Sequence, residues 1–408
     1  VANEGVPSDD YLNDPEGGVS IIDLIGGAPN AFVNHISLAD FNVGAAFENS
    51  FPSGVHIYGP GATRAQDMEP EFVAVSDDGD KAYVSLQENN AVLVIDVPTA
   101  SVDTIFPLGY KDHNATGNEL DASDQDGAIN ITSHPVHGMY QPDGLAYFKI
   151  GGISYFLSAN EGAARKYTGY SEDERVANLN LNSGTFSNIS DLQSPNNAGR
   201  LKVTTAFGDH GGDGIMDTLY SFGGRSFSIW DAETGDLVYD SGSEFESKIE
   251  LLHPDLFNSE GLAATFDTRS DNKGPEPEDV VIGKVGSRSL AFIGLEQIGG
   301  IMVYDITDPT APTFLLYEPS ATNDFGPEAS VFINAAQSPT GNPLLIVSHE
   351  TSSTLAIYEI ANNVGIQDAS SVDKEYPYPN PSKTTVTIRS SAIAGSEYVL
   401  YSIFGTLI

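Results

Sequence analysis

Cysteine is absent from the 408 residues, which excludes a disulfide frame and any thiolate metal site. Basic side chains are scarce: 18 Lys and Arg stand against 57 Asp and Glu, a formal charge of −39. A surface of that sign repels nucleic acid and anionic membranes, so neither is expected as a partner. No apolar run approaches the roughly 18 residues of a membrane-spanning helix. Nucleophile-elbow, P-loop and dinucleotide glycine motifs are all missing. Tryptophan occurs once, as Trp230 in SFSIWD, where strand spacing points to a core position. His113, His134, His137 and His210 lie in polar stretches and are open as ligands, but none makes an i,i+4 zinc pair.

What is present is acid, and short β-rich runs punctuated by Gly, Pro and Asp. Residues 274–318 read as four strands, at 280–283, 289–295, 301–306 and 313–317, separated by Gly286-Ser287, Gly299-Gly300 and Asp308-Pro309. That is the size of one β-propeller blade. Glu278 enters its first strand and Glu296 leaves its second, so both carboxylates belong at one end of the hairpin.

The pattern recurs, and an internal repeat of this length marks a blade array. Residues 68–109 carry Glu71 at the entry and Glu88 at the exit. Residues 141–162 carry Asp143 and Glu161, and residues 326–360 carry Glu328 and Glu350. Residues 200–243 read as a further blade without the entry acid, and Glu4 ends a partial blade at the start. The expected fold is an all-β propeller over residues 1–362, seven-bladed at full length, with its first strands upstream of Val1. Long polar insertions at 110–140 and 163–199 are expected on the top face. A polar linker follows at 363–374, and a new β unit at 375–408.

Several long motifs carry a family resemblance. VANEGVPSDDYLNDPEGGVSIIDL, GPGATRAQDMEPEFVAVS, LGYKDHNATGNELDASDQDGAINI, HGMYQPDGLA, FGGRSFSIWDAETG, RSDNKGPEPEDV and AFIGLEQIGGIMVYDITDP occur in family order, and together they resemble the bacterial choice-of-anchor I family. The resemblance covers roughly residues 1–362. It implies a secreted β-propeller of an esterase-like or phytase-like kind. The family usually has a further acid where this chain has Ala163. The C-terminal YPYPNPSKTTVTI and EYVLYSIFGTLI look like the start of a type A sorting domain of the type IX secretion system. That likeness implies the type IX machinery as a partner and export to the outer surface of a Bacteroidota-type cell.

In a propeller the entry strands line the central channel. Glu71, Glu88, Asp143, Glu161, Glu278, Glu296, Glu328 and Glu350 are therefore expected to crowd one mouth. So many carboxylates stay ionised together only around cations. Dense oxygen donors suit Ca²⁺ best, then Mg²⁺ or Mn²⁺. The competing reading makes them solvent-facing loop acids. Asp121, Asp124 and Asp126 in DASDQDG, and Asp209, Asp213 and Asp217 in DHGGDGIMD, are second and third Ca²⁺ candidates, with Asx-turn chemistry as the rival.

Arg165, Arg225, Arg269 and Lys273 fall in motif segments near these acids. Of these, Arg165, Arg269 and Lys273 are the candidates to hold a phosphate ester while a metal-bound water attacks it. The alternative is that each is the ion-pair partner of a nearby acid. The leading expectation is a secreted Ca²⁺-dependent phosphoesterase-like hydrolase. The other is a non-enzymatic, Ca²⁺-stabilised adhesion or scaffold protein, with a surface polymer as ligand.

Overall fold

The computed structural model describes residues 1–25 and 27–361. The expected linker and sorting segment lie outside these residues. Most regular structure in the described chain is antiparallel strand. Its longest helix is Glu244–Leu252, and none of its helices is long and apolar enough to cross a membrane.

Five sheets follow one another in chain order. The first joins Ala2–Asn3, Gly18–Asp23 and Phe32–Ser37. The second joins Pro70–Val75, Lys81–Leu86, Ala91–Asp96 and Ser101–Pro107. The third joins Leu145–Ile150, Ile153–Asn160, Ser226–Asp231 and Leu237–Asp240. The fourth joins Pro277–Val285, Arg288–Leu295, Ile301–Asp305 and Thr313–Glu318. The fifth joins Pro327–Ile333, Leu344–His349 and Thr354–Glu359.

The leading strand of each sheet packs on the leading strand of the next, from Ala2–Asn3 through Pro70–Val75, Leu145–Ile150 and Pro277–Val285 to Pro327–Ile333. Sheets radiating from a shared line of inner strands make a propeller-like arrangement. The middle strands are apolar on both faces because each sheet is sandwiched between neighbours. Ala91–Ile95 is buried throughout, whereas the outer Ser101–Pro107 is largely exposed at its start. Trp230 is core, as its spacing suggested: its indole N–H donates to Ser158 Oγ at 2.9 Å, which satisfies the one polar atom the burial would strand.

The structure corrects one reading. Residues 200–243 are not a separate blade. Ser226–Asp231 pairs with Ile153–Asn160, so the third sheet is interrupted by the stretch 161–225 and completed afterwards. Sequence spacing hid this because the interruption carries strands of its own. Lys202–Thr204 and Tyr220–Ser221 join Asp173–Arg175, His137–Met139 and Tyr110–Asp112 in a sixth sheet. The two insertions thus fold together, over a small core that includes Leu120, Val136, Val176, Leu192, Val203 and Leu219.

Candidate functional site: a carboxylate mouth

The repeated entry motif has a structural cause. In the second, fourth and fifth sheets the ladder slips just after the entry proline, between Pro70 and Val73, Pro277 and Val280, and Pro327 and Ala329. Proline has no N–H to give the ladder, and a bulge re-aims the residue beside it. Glu71, Glu278 and Glu328 occupy that re-aimed position. The exit acids follow the paired strand ends: Leu86 lies opposite Pro70, Leu295 opposite Pro277 and His349 opposite Pro327.

Asp143, Glu161 and Glu278 converge: one oxygen from each lies within 4.8 Å of the others. They come from two sheets, and Gly144 permits the approach. Its N–H donates to Glu278 O at 2.9 Å, and a Cβ there would stand 2.7 Å from that oxygen. Gly223, in the left-handed region with φ 77°, gives way similarly to the Glu161 carbonyl, which a Cβ would meet at 2.1 Å. A second trio, Glu161, Glu276 and Glu296, also brings one oxygen from each within 4.8 Å of the others and shares Glu161 with the first. Oxygens about 2.4 Å from one Ca²⁺ lie at most about 4.8 Å apart, so either trio fits around a single ion.

The electrostatics show carboxylates short of counter-charge. Burial, then Glu161, Asp143, Glu296 and Glu328, pushes the Glu278 carboxyl up to about 12. Burial, then Glu88, Asp143, Glu4 and Glu161, takes Glu71 up to about 11. Asp143 reaches about 8, chiefly through burial and then Glu161, against a hydrogen bond with Glu278. Glu296 reaches about 7 through burial, Glu161 and Glu276, with Lys273 pulling the other way. Glu71 Oε2 and Glu88 Oε2 are buried without a hydrogen-bond partner, so the mouth presents oxygens that the protein itself leaves unsatisfied.

The three basic candidates are all engaged. Arg165 is fully buried and donates to Asp67 Oδ1 at 2.8 Å, the Asp67 carbonyl at 2.6 Å and Glu69 Oε1 at 3.1 Å, stacked 4.5 Å from the Tyr58 ring centre. Arg269 Nε donates to Glu276 Oε1 at 2.8 Å. Lys273 Nζ sits between Glu161 Oε1 and Glu276 Oε2, the latter at 2.7 Å. Burial opposes the Lys273 charge, but those two carboxylates outweigh it and raise its pKa. The ammonium therefore stands at the second trio as a resident cation. Arg225 is likewise paired, with Glu246 at 2.7 Å.

The remaining expected residues sit elsewhere. Glu328 and Glu350 lie close enough to interact with each other but are exposed, at the rim. Asp209 accepts the backbone N–H groups of Gly211, Gly212, Asp213 and Gly214, Asp213 accepts from Ile215, and Asp217 accepts from Asn182 and His210. Asp124 pairs with Arg200, while Asp121 and Asp126 accept local backbone N–H groups. Neither loop gathers its three acids into one ligand set, and among the described residues no histidine joins either trio.

Sequence reasoning missed Glu69 and Glu276. Both are buried at 1% exposure and neither occupies the repeat's entry or exit position. Burial and Glu88 push Glu69 up to about 9, against Arg165. The available signal was adjacency: Glu69-Pro70-Glu71 and Glu276-Pro277-Glu278 place an acid on each side of the entry proline.

The model of the choice-of-anchor I domain matches residues 1–309. The chain belongs to the choice-of-anchor I family. Gigasin-3a of Magallana gigas is 33% identical over 204 residues, 45% of this chain and 68% of that protein. The mesenchyme-specific cell surface glycoprotein of Strongylocentrotus purpuratus is 27% identical over 283 residues, 60% of this chain and only 35% of that much longer protein. Among solved structures, the periplasmic gluconolactonase of Pseudomonas aeruginosa is similar over 88% of this chain and 77% of its own, at 13% identity and TM-score 0.32. The Dos1 propeller is similar over 71% of this chain and 45% of its own, at 11% identity and TM-score 0.29. Superpositions this loose leave the description of the fold to the strand packing above.

Proposed function

We propose that this choice-of-anchor I chain is a secreted or cell-surface protein whose carboxylate mouth is a Ca²⁺ centre held by Asp143, Glu161 and Glu278, with Glu71 and Glu88 beside it. One observation carries the reading: three carboxylates on two sheets meet within 4.8 Å. Such a group is costly unless protonated or neutralised. The all-oxygen donor set favours Ca²⁺ over the softer transition metals, with Mg²⁺ or Mn²⁺ as lesser fits. The name of the sea-urchin relative, a cell surface glycoprotein, agrees with an extracellular setting. We also propose a seven-bladed ring and a C-terminal segment that addresses the chain to the type IX machinery.

Of the two roles weighed for this centre, the pairing of Arg165, Arg269 and Lys273 with carboxylates favours a Ca²⁺-stabilised adhesion or scaffold module, because none stands free to grip a phosphate. The hydrolase reading keeps one support. Glu161 is shared by two trios, so the Lys273 ammonium bound to it would stand as a further cation beside a Ca²⁺ in the first. Hydrolysis of a phosphomonoester and phosphodiester panel by metal-stripped and Ca²⁺-restored protein separates the two. Turnover that returns with Ca²⁺ and is lost in Glu278→Gln supports the hydrolase. A rise in melting temperature with no turnover supports the scaffold.

A further inference from the structure

A second group of unsatisfied buried oxygens lies where the loop 253–272 meets the first insertion. The Asp267 N–H donates to Phe257 O and the Arg269 N–H to Asn258 O, so the two arms of the loop run side by side. Asn258 and Asp267 both take the left-handed backbone region, with φ 38° and 69°. Their side chains meet at one hydroxyl: Asn258 Nδ2 donates to Ser270 Oγ at 2.9 Å, and Ser270 Oγ donates to Asp267 Oδ1 at 2.6 Å. Each then has one oxygen left. Asn258 Oδ1 and Asp267 Oδ2 are buried with no partner, on residues only 0% and 3% exposed. Ser259 Oγ, on the same turn, is buried and unpartnered too.

Charge accumulates at this place. Glu246 is matched by Arg225 and Asp124 by Arg200, but Asp121, Asp126 and Asp267 take part in no ion pair among the described residues. Asp126, Asp124 and Glu246 all lie near enough to act on the Asp267 carboxylate. A carboxylate and an amide carbonyl left without partners among buried, acid-flanked residues suit a hard cation. A neutral water satisfies hydrogen bonds but leaves the charge uncompensated.

We infer that Asn258 Oδ1 and Asp267 Oδ2 are ligands of a second, structural Ca²⁺ site that ties the 253–272 loop to the acidic loop of Asp121, Asp124 and Asp126. Ser259 Oγ is the nearest further oxygen donor in sequence, and Asp126 supplies unpaired charge. The site fastens the first insertion, and through it the sixth sheet, to the segment that leads into the fourth sheet. It does not depend on the mouth binding metal.

The test counts calcium. Equilibrium dialysis with Ca²⁺ alone is run on metal-stripped wild type, Glu278→Gln, Asp267→Asn and Asp126→Asn, with hydrogen exchange followed across residues 253–272. Asp267→Asn keeps an acceptor for Ser270, so the loop can still close. The expected result is one bound Ca²⁺ fewer in Asp267→Asn than in wild type, a several-fold weaker site in Asp126→Asn, and Ca²⁺-dependent protection of 253–272 that survives Glu278→Gln. An unchanged count in both Asp267→Asn and Asp126→Asn overturns the inference, as does protection of this loop that ignores Ca²⁺. If Asp267→Asn does not fold, Asp126→Asn and the exchange data in wild type decide. Loss of calcium only in Glu278→Gln would sink this site and leave the mouth standing.

Discussion

Replacing Glu278 by glutamine is expected to move stability in opposite directions with and without metal. In the stripped protein the folded state holds the Glu278 proton far more tightly than the unfolded chain does, because its pKa rises from 4.5 to about 12. A carboxyl raised in this way contributes its full stability below about pH 4.5 and loses it as pH climbs toward the folded value. At about pH 7.5 the loss covers about three pH units at about 1.4 kcal/mol each, or about 4 kcal/mol. Asp143, whose carboxyl is raised to about 8, shares protons with Glu278, so about 2–4 kcal/mol is the expected range. Glutamine is neutral at every pH and nearly isosteric. The stripped Glu278→Gln protein should therefore be about 2–4 kcal/mol more stable than wild type at about pH 7.5, and about equal near pH 4.5. In Ca²⁺ the order reverses, since one charged ligand is gone and affinity should fall at least about tenfold. Urea denaturation at the two pH values, in chelator and in Ca²⁺, reads all four corners. A variant less stable than wild type in chelator at about pH 7.5 would show that the mouth is not strained by its charge, and the reasoning would fail.

The same physics gives three further expectations. Stripped wild type should lose stability as pH rises from about 4.5 through the values near 7 for Glu296 and 8 for Asp143, and Ca²⁺ should flatten that slope; melting temperatures across the range report it. Lys273→Met leaves Glu161 and Glu276 buried without their ammonium, at a cost of about 3–5 kcal/mol in chelator, part of it recovered in Ca²⁺ as a cation enters the second trio. Arg165→Leu strands Asp67 and Glu69 away from the trios and should cost about 3–5 kcal/mol by denaturation with no recovery in Ca²⁺.

Much of the fold was legible because hairpins write themselves locally. Pro277, Gly286 and Gly299 punctuate the fourth sheet where the strands end, and the same cues marked the second. The third sheet escaped because pairing between Ile153–Asn160 and Ser226–Asp231 is a long-range contact, and no local signal distinguishes the strand that resumes a sheet from one that begins a new sheet. The acids of the mouth were legible for a related reason: repetition exposes positions. Glu71, Asp143, Glu161 and Glu278 were found by their place in the repeat. Glu69 and Glu276, which occur beside the entry prolines, were passed over because the repeat assigned them no role. That each basic residue would pair with an acid was one of the two readings the sequence allowed, and Arg165, Arg269 and Lys273 are paired; which acids they meet was not legible. Arg165 reaches Asp67 and Glu69 across almost a hundred residues of chain, so its commitment to them exists only in three dimensions.

The most direct test is a calorimetric titration of Ca²⁺ into metal-stripped protein near neutral pH, repeated in buffers of different ionisation enthalpy. A mouth whose carboxyls hold protons at that pH must release them when the ion enters, so the account predicts saturable binding with a heat that depends on the buffer. Absence of saturable binding up to millimolar Ca²⁺, or binding that releases no protons and is untouched by Glu278→Gln, would contradict it.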